Sequence, residues 1–286
     1  MVRPRRSALY LPASNPRALE KARTLPADVV ILDLEDSVGP EAKDDARILA
    51  VQAVRGGGFG GRELVVRVNG LDTPWGQADL AAAAEASPDA VLVPKVGGPH
   101  DLSRYAQALG GASRLWAMIE TCRAVFRLDA IGEASVDTGC DVWVIGANDL
   151  VKEMRCRPGT DRAPLLPALS LSVMAARAHG LTVLDGVYNA IPDLDGLARE
   201  CAQGVDLGFD GKTLIHPTHI ETANRAFTPD EAEVEWARAV VAAFDLAENA
   251  GKGVLKVEGR MVERLHLDQA RRLIGVADAI AAHEVA

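Results

Sequence analysis

Eight short apolar runs recur along the chain: Ser7–Pro12, Asp28–Asp36, Glu63–Asn69, Ala90–Lys95, Arg114–Glu120, Asp141–Asp149, Thr182–Val187 and Val205–Lys212. Each is rich in Val, Ile or Leu and is near-continuously apolar or only weakly alternating. That is the pattern of strands covered on both faces, as in a parallel sheet. Helix-like segments separate the runs. Pro40–Arg55 carries Ala42, Ala46, Leu49, Ala50 and Ala53 on one helical face and ends in Gly56-Gly57-Gly58. Asn15-Pro16 reads as the N-cap and first residue of a short helix through Arg23, and Leu165–His179 as a helix stopped by Gly180. Eight β runs alternating with helices predict an α/β fold, a (β/α)8 TIM barrel, over residues 1–227. A doubly wound open sheet is disfavoured, because no G-x-G-x-x-G follows the first strand.

The pattern changes at residue 228. Thr228-Pro229-Asp230-Glu231 reads as a capping box with Pro at the first helical position, opening a helix to about Ala250 that Gly251 stops. Val254–Val257, the pair Glu258-Gly259 and Met261-Val262 read as a hairpin with a tight turn, and Leu267–Ala282 as a last helix. Residues 228–286 are therefore expected to form a small C-terminal helix–hairpin–helix appendage, placed on the barrel or against a neighbouring subunit.

Composition narrows the function classes. A net charge of −9 repels nucleic acid and anionic membranes, so neither is expected as a partner. The four cysteines (122, 140, 156, 201) show no C-x-x-C spacing and read as small buried residues of a reducing compartment. The apolar run after the basic N-terminus, Ala8–Pro12, is too short for a signal-peptide core, and no uncharged stretch reaches membrane-spanning length. A cytoplasmic location is expected.

In a TIM barrel the chemistry sits at the C-terminal strand ends. Those ends read Asp33-Leu34-Glu35-Asp36, Arg67-Val68-Asn69-Gly70, Pro94-Lys95, Ile119-Glu120-Thr121, Gly146-Ala147-Asn148-Asp149, Asp185-Gly186 and Gly208-Phe209-Asp210-Gly211-Lys212. Five carboxylate-bearing ends around one mouth repel one another unless a cation intervenes. Glu120 and Asp149, one βα repeat apart, are a ligand pair suited to a hard cation, Mg²⁺ or Mn²⁺; each carboxylate could instead cap the helix that follows. Arg67 ends a strongly apolar run. It could stabilise an oxyanion or simply pair with the acidic Asp33–Asp36 turn. His216 and His219 are separated by a Pro, a poor spacing for zinc, and read as loop structure; Arg3, Arg5, Arg6 and Arg17 could meet phosphates or form a solvated basic terminus.

These motifs together resemble the citrate lyase β-subunit family within the HpcH/HpaI aldolase superfamily. The resemblance runs in order through Arg6-Ser7-Ala8-Leu9-Tyr10-Leu11-Pro12, Asp33–Val38, Lys43 with Ala46-Arg47, Arg67–Gly70, Pro94-Lys95, Ile119–Thr121, Gly146–Leu150, Gly208–Lys212, Ile215-His216-Pro217 and Phe227-Thr228-Pro229. It implies a Mg²⁺-dependent barrel that cleaves or forms a carbon–carbon bond in a citryl-, malyl- or citramalyl-CoA type thioester, giving an acyl-CoA and a 2-oxo acid. By position, Glu120 and Asp149 would bind the metal and, through it, substrate. Arg67 would hold the 2-oxo acid oxygen, and Glu35 or Asp36 would support Arg67. The metal would act as a Lewis acid, and a general acid/base would handle the α-proton.

Two positions depart from the family pattern. Stand-alone members carry Met-Ile-Asp near the C-terminus, with the Asp supplied to a neighbouring subunit, where this chain has Met261-Val262-Glu263. Glu263 could do the same proton chemistry with one more methylene of reach, and a homo-oligomer, trimer or hexamer, is implied. The other departure is His219, where the family commonly has Gln. Alternative readings are the carrier-dependent β subunit of a citrate lyase complex and a non-catalytic protein that binds CoA esters or 2-oxo acids.

Overall fold

The computed structural model describes residues 3–285. It divides into two compact units, Arg5–Phe227 and the chain from Thr228 onward together with Arg3-Pro4. The first is a closed barrel of eight parallel strands in sequence order: β1 (Ser7–Pro12), β2 (Val29–Asp33), β3 (Glu63–Arg67), β4 (Ala90–Val93), β5 (Arg114–Ile119), β6 (Cys140–Ile145), β7 (Thr182–Asp185) and β8 (Gly211–Leu214). Around it run α1 (Pro16–Ala22), α2 (Lys43–Gly56), α3 (Gly76–Ala86), α4 (Pro99–Leu109), α5 (Cys122–Val125), α6 (Leu128–Thr138), α7 (Ala147–Met154), α8 (Leu166–Ala178), α9 (Leu194–Leu207) and α10 (Ile220–Phe227). This is the (β/α)8 architecture expected from the alternation.

The strands are apolar at successive positions because both faces meet hydrocarbon. Tyr10, Ile31, Val65, Leu92, Trp116, Met118 and Val144 fill the barrel interior. Their outward-pointing neighbours, such as Leu9, Leu32, Val66 and Trp143, pack beneath the helices. Two fully buried tryptophans, Trp116 inside and Trp143 outside, supply bulk that the sparse aromatic content otherwise withholds.

At the strand-start face, Arg6 pairs with Asp28 at 2.9 Å and Arg5 with Glu63 at 2.6 Å, the Arg5 guanidinium lying 5.1 Å from the Trp116 ring centroid. Arg5 and Arg6 therefore hold the end of the barrel opposite the C-terminal strand ends, engaged with carboxylates there rather than meeting phosphates or forming a solvated terminus. Arg17 lies exposed on α1.

Several element boundaries differ from the sequence expectation, and those at strands 6 and 8 bear on the site. The run Val205–Lys212 is two things: the last turn of α9, capped by Gly208 in the left-handed region (φ +92°), and the start of β8. β8 begins at Gly211, where a β-carbon would collide with the Arg5 carbonyl. β6 stops at Ile145, so Asp149 lies in the first turn of α7 rather than on a strand.

The second unit contains α11 (Glu231–Asp245), β9 (Val254–Val257), β10 (Arg260–Glu263) and α12 (Arg264–Val285). Its capping box is Asp230 with Glu233, so Thr228 and Pro229 precede the cap, and α11 ends at Asp245 before a 3-10 turn over Ala247–Asn249. The hairpin turns through Glu258 and Gly259, both at positive φ, as a two-residue turn matching strand twist requires. Val240, Phe244, Leu255, Val257, Val262 and Leu267 form its own apolar core. Among the described residues no helix is long and apolar enough to cross a membrane.

Candidate functional site

The ends of β2 and β3 place Asp33 and Arg67 side by side, partners in strand register. Arg67 donates from Nε and Nη2 to the two Asp33 oxygens at 2.6 and 2.7 Å, and its guanidinium stacks 4.6 Å from the Tyr10 ring centroid. Asp33 also accepts the backbone N–H groups of Glu35 and Ser37. Burial alone would push the Asp33 carboxyl up, but Arg67 and these hydrogen bonds outweigh it and hold it below the ordinary carboxylate range. The guanidinium is thereby clamped in one orientation. Its Nη1 lies 2.9 Å from Glu35 Oε2 and 3.3 Å from Asp36 Oδ2. The Glu35 oxygen is close but off the hydrogen-bonding direction and has no hydrogen-bond partner among the described residues.

Arg67 lines a cavity of about 250 Å³ in the barrel mouth, together with Tyr10, Met118, Glu120, Thr213 and the first turn of α7, including Asp149. Glu120 follows β5 and is almost wholly buried. A β-carbon at Gly146 would collide with the Glu120 side chain, so glycine at the β6–α7 junction leaves room for that carboxylate. Lys95, just after β4, donates its backbone N–H to Glu120 Oε1 at 2.6 Å. Its ammonium lies 2.5 Å from Asp149 Oδ2 and 3.9 Å from both Glu120 Oε1 and Glu35 Oε1.

Charge is unbalanced here. Five carboxyl groups (Asp33, Glu35, Asp36, Glu120, Asp149) surround two cations (Arg67, Lys95), an excess of three negative charges (5 − 2) if all ionise. Burial pushes Glu35 up to about 8, partly offset by Arg67 and reinforced by Asp36 and Glu120. Burial likewise pushes Glu120 up to about 7, against the pull of Lys95. Such a cluster fits a divalent cation: hard oxygen donors, one cation already within reach of both Glu120 and Asp149, and charge left to neutralise. Among the described residues no group of three or more His, Cys, Asp or Glu is arranged to hold a metal, so these two carboxylates would leave the other coordination positions to water and substrate oxygens.

Several residues expected at the mouth are elsewhere. Strand parity sends Asp185 outward, where it pairs with Lys212 and Arg162, each at 2.8 Å, while Lys212 also pairs with Glu200 at 2.7 Å. Asp210 precedes β8 and pairs with Arg177. The carboxylates of strands 7 and 8 are therefore not part of the mouth. Glu263 belongs to the second unit: it ends β10, exposed, its backbone N–H donating to His266 Nδ1. His219 is buried with Nε2 3.1 Å from the Ile191 carbonyl oxygen, while His216 Nδ1 accepts the Thr218 N–H, a loop-forming arrangement. Sequence reasoning gave no separate role to Asp33 or Lys95. The register pairing of β2 with β3 was the available signal for Asp33; for Lys95 there was only its position at a strand end.

A model of the HpcH/HpaI aldolase/citrate lyase family matches residues 6–217. The chain is 50% identical over 279 residues to a (3S)-malyl-CoA thioesterase of Cereibacter sphaeroides, covering 98% of this chain and 96% of that one. It is 35% identical to a citrate lyase subunit beta of Leuconostoc mesenteroides, covering 96% and 94%. Among solved structures it is similar to the protein CitE from Mycobacterium tuberculosis in complex with magnesium, acetoacetate and coenzyme A, with a TM-score of 0.77 and 28% identity, covering 95% of this chain and 97% of that one.

Proposed function

The chain belongs to the HpcH/HpaI aldolase/citrate lyase family, and on that premise we propose that it is a Mg²⁺-dependent lyase of a malyl-CoA type thioester, releasing an acyl-CoA and a 2-oxo acid. The observation that carries this reading is the clamped, buried Arg67 guanidinium sharing one small cavity with Glu120 and Asp149. The malyl class is favoured over citryl because the thioesterase relative is closer in sequence than the citrate lyase subunit.

Glu120 and Asp149 are proposed as metal ligands, Mn²⁺ being an alternative ion. Bound there, the metal supplies Lewis-acid polarisation of the 2-oxo acid oxygen. Arg67 directs its remaining N–H donors at the same oxygen, which carries an alkoxide charge before the bond breaks, once the substrate hydroxyl has given its proton to a general base, and again once the bond has formed. Asp33 accepts two others, from Nε and Nη2, and so fixes the direction of the guanidinium; Glu35 and Asp36 flank the third nitrogen. The thioester fragment leaves as an enolate that requires a proton at carbon. Glu263, supplied from a neighbouring subunit of a homo-oligomer, is proposed as that acid.

A second reading, hydrolysis of the thioester to a free hydroxy acid and CoA, is favoured by the name of the 50%-identical relative. One experiment separates them. The purified protein is incubated with (3S)-malyl-CoA and Mg²⁺, with and without EDTA, while glyoxylate and free thiol are measured together. EDTA-sensitive glyoxylate with equimolar acetyl-CoA is the expected result. Free thiol without glyoxylate would establish hydrolysis, and neither product would overturn both.

A further inference from the structure

Lys95 has a backbone conformation that side-chain-bearing residues rarely adopt, φ +52°. Such strain persists where the surroundings over-determine it. Both ends of the residue are committed to one acidic cluster: the backbone N–H to Glu120, the ammonium to Asp149 and, at longer range, to Glu35 and Glu120. Among the described residues Lys95 is the one cation paired with either Glu120 or Asp149.

We propose that the Lys95 ammonium is the resident counter-cation of the Glu35–Glu120–Asp149 cluster and that a divalent cation displaces it on binding. The proposal rests on the reading of Glu120 and Asp149 as metal ligands. The Asp149 oxygen that holds Nζ at 2.5 Å is a metal donor in that reading, and two cations cannot crowd the same oxygens without repelling each other. Lys95 is built to yield. Its side chain is half exposed, and its stem is flexible. Nζ can therefore withdraw toward solvent while the backbone N–H stays on Glu120. Arg67 cannot do this, being buried and clamped by Asp33. Lys95 is thus a positioning residue. It keeps the carboxylates gathered in the metal-free protein, weakens metal affinity by competition, and leaves a mobile positive charge at the mouth once the metal is bound.

The test uses the full chain. Mn²⁺ affinity is measured by titration calorimetry for wild type, Lys95→Met and Glu120→Gln, with thermal melts checking that each variant is folded. Acetylation of Lys95 by acetic anhydride is followed by mass spectrometry with and without Mg²⁺. Lys95→Met should bind Mn²⁺ roughly ten-fold tighter, within the range of ordinary coupling between sites. In wild type, Mg²⁺ should raise Lys95 acetylation several-fold, and in Glu120→Gln this rise should vanish along with metal affinity. Equal or weaker Mn²⁺ binding by Lys95→Met, or acetylation that falls on adding Mg²⁺, overturns the displacement while leaving the ligand assignment standing. Unimpaired Mn²⁺ binding by Glu120→Gln overturns the ligand assignment itself, and the displacement with it.

Discussion

Asp33→Asn is the perturbation that most directly tests how the mouth is built. Asp33 is fully buried and accepts four hydrogen bonds: Arg67 Nε, Arg67 Nη2, and the backbone N–H groups of Glu35 and Ser37. Asparagine presents one acceptor oxygen; its NH₂ then faces donors, N–H against N–H. The change also leaves Arg67 buried without its main counter-charge. Breaking one side of a buried pair costs about 3–5 kcal/mol, and the site's near-complete burial removes any reason to discount that for solvent screening. At a few degrees per kcal/mol, the barrel should melt roughly 10 °C lower at neutral pH. The sign with pH is fixed by the depressed Asp33 carboxyl. Its stabilisation is present above the ordinary carboxylate value and is lost as pH falls through the lower folded value, so the gap between wild type and variant should close in acid. An Arg67 displaced by about 1 Å would lower kcat/KM by ~100-fold. Urea titrations of wild type, Asp33→Asn, Arg67→Met and the double variant complete the assay. The double variant should lose clearly less than the sum of the singles, since each single strands the other's buried charge. Additive losses, or a stability change for Asp33→Asn within about 0.5 kcal/mol, would refute the clamp.

Three further outcomes are expected. Lys212→Met removes one of the two cations that Asp185 and Glu200 share, leaving Arg162, and should cost about 3 kcal/mol in urea unfolding, the low end for breaking a buried pair, with KM for the CoA ester unchanged; a KM effect would place the cluster in the site after all. In metal-free protein, Glu35→Gln should gain stability relative to wild type as pH rises from about 5 to about 8, by up to about 1.4 kcal/mol per pH unit, then run parallel, because a carboxyl pushed up to about 8 resists ionising in the fold. Parallel melting curves throughout that window would contradict it. Glu263→Gln should lower turnover on malyl-CoA with Mn²⁺ affinity intact, and mixing it with Arg67→Met subunits should restore part of the activity; unchanged turnover would remove Glu263 from the reaction.

The barrel was legible because burial on both strand faces writes itself as unbroken apolar runs, and eight of them at βα spacing leave few alternatives. What the runs do not carry is parity and exact termination. Asp185 and Asp33 both end apolar runs with a carboxylate, yet the first points to the helix layer and the second into the barrel. Counting forward from Ile31 and Leu184, both interior residues, separates them, Asp33 lying two positions on and Asp185 one, but only once the interior set is known. The misplaced start of strand 8 has a different origin: Val205, which is exposed, and Leu207, half-buried, belong to the last turn of α9, and their apolarity imitates a strand run and hides the helix end that Gly208 caps. Glu120 and Arg67 could be picked out because charge at the end of a buried run demands a reason. Lys95 could not, because its significance lies in a left-handed backbone and a contact to α7 across the barrel mouth, neither of which a strand-end lysine advertises.

Family membership and site geometry bear on different parts of the reaction. A clamped guanidinium and a divalent cation held by a pair of carboxylates would stabilise negative charge on an oxygen, and that requirement is shared by carbon–carbon cleavage, at the 2-oxo acid oxygen, and by thioester hydrolysis, at the tetrahedral oxyanion. A mouth so built would suit either outcome, and the chain's relatives are named both as a thioesterase and as a citrate lyase subunit. The discriminating element has to be whatever delivers a proton to carbon or water to the thioester carbonyl. Neither Arg67 nor Asp33 can do so, one being permanently protonated and the other held as a carboxylate beside it. With Glu120 and Asp149 proposed as metal ligands, two acids are proposed for that step: Glu35, whose carboxyl burial pushes up to about 8, and Glu263 on the separate unit. If the acid is Glu263, loss of its carboxyl should suppress acetyl-CoA formation more than thiol release, because only carbon protonation needs it. If Glu35 serves, both products should fall together on Glu35→Gln.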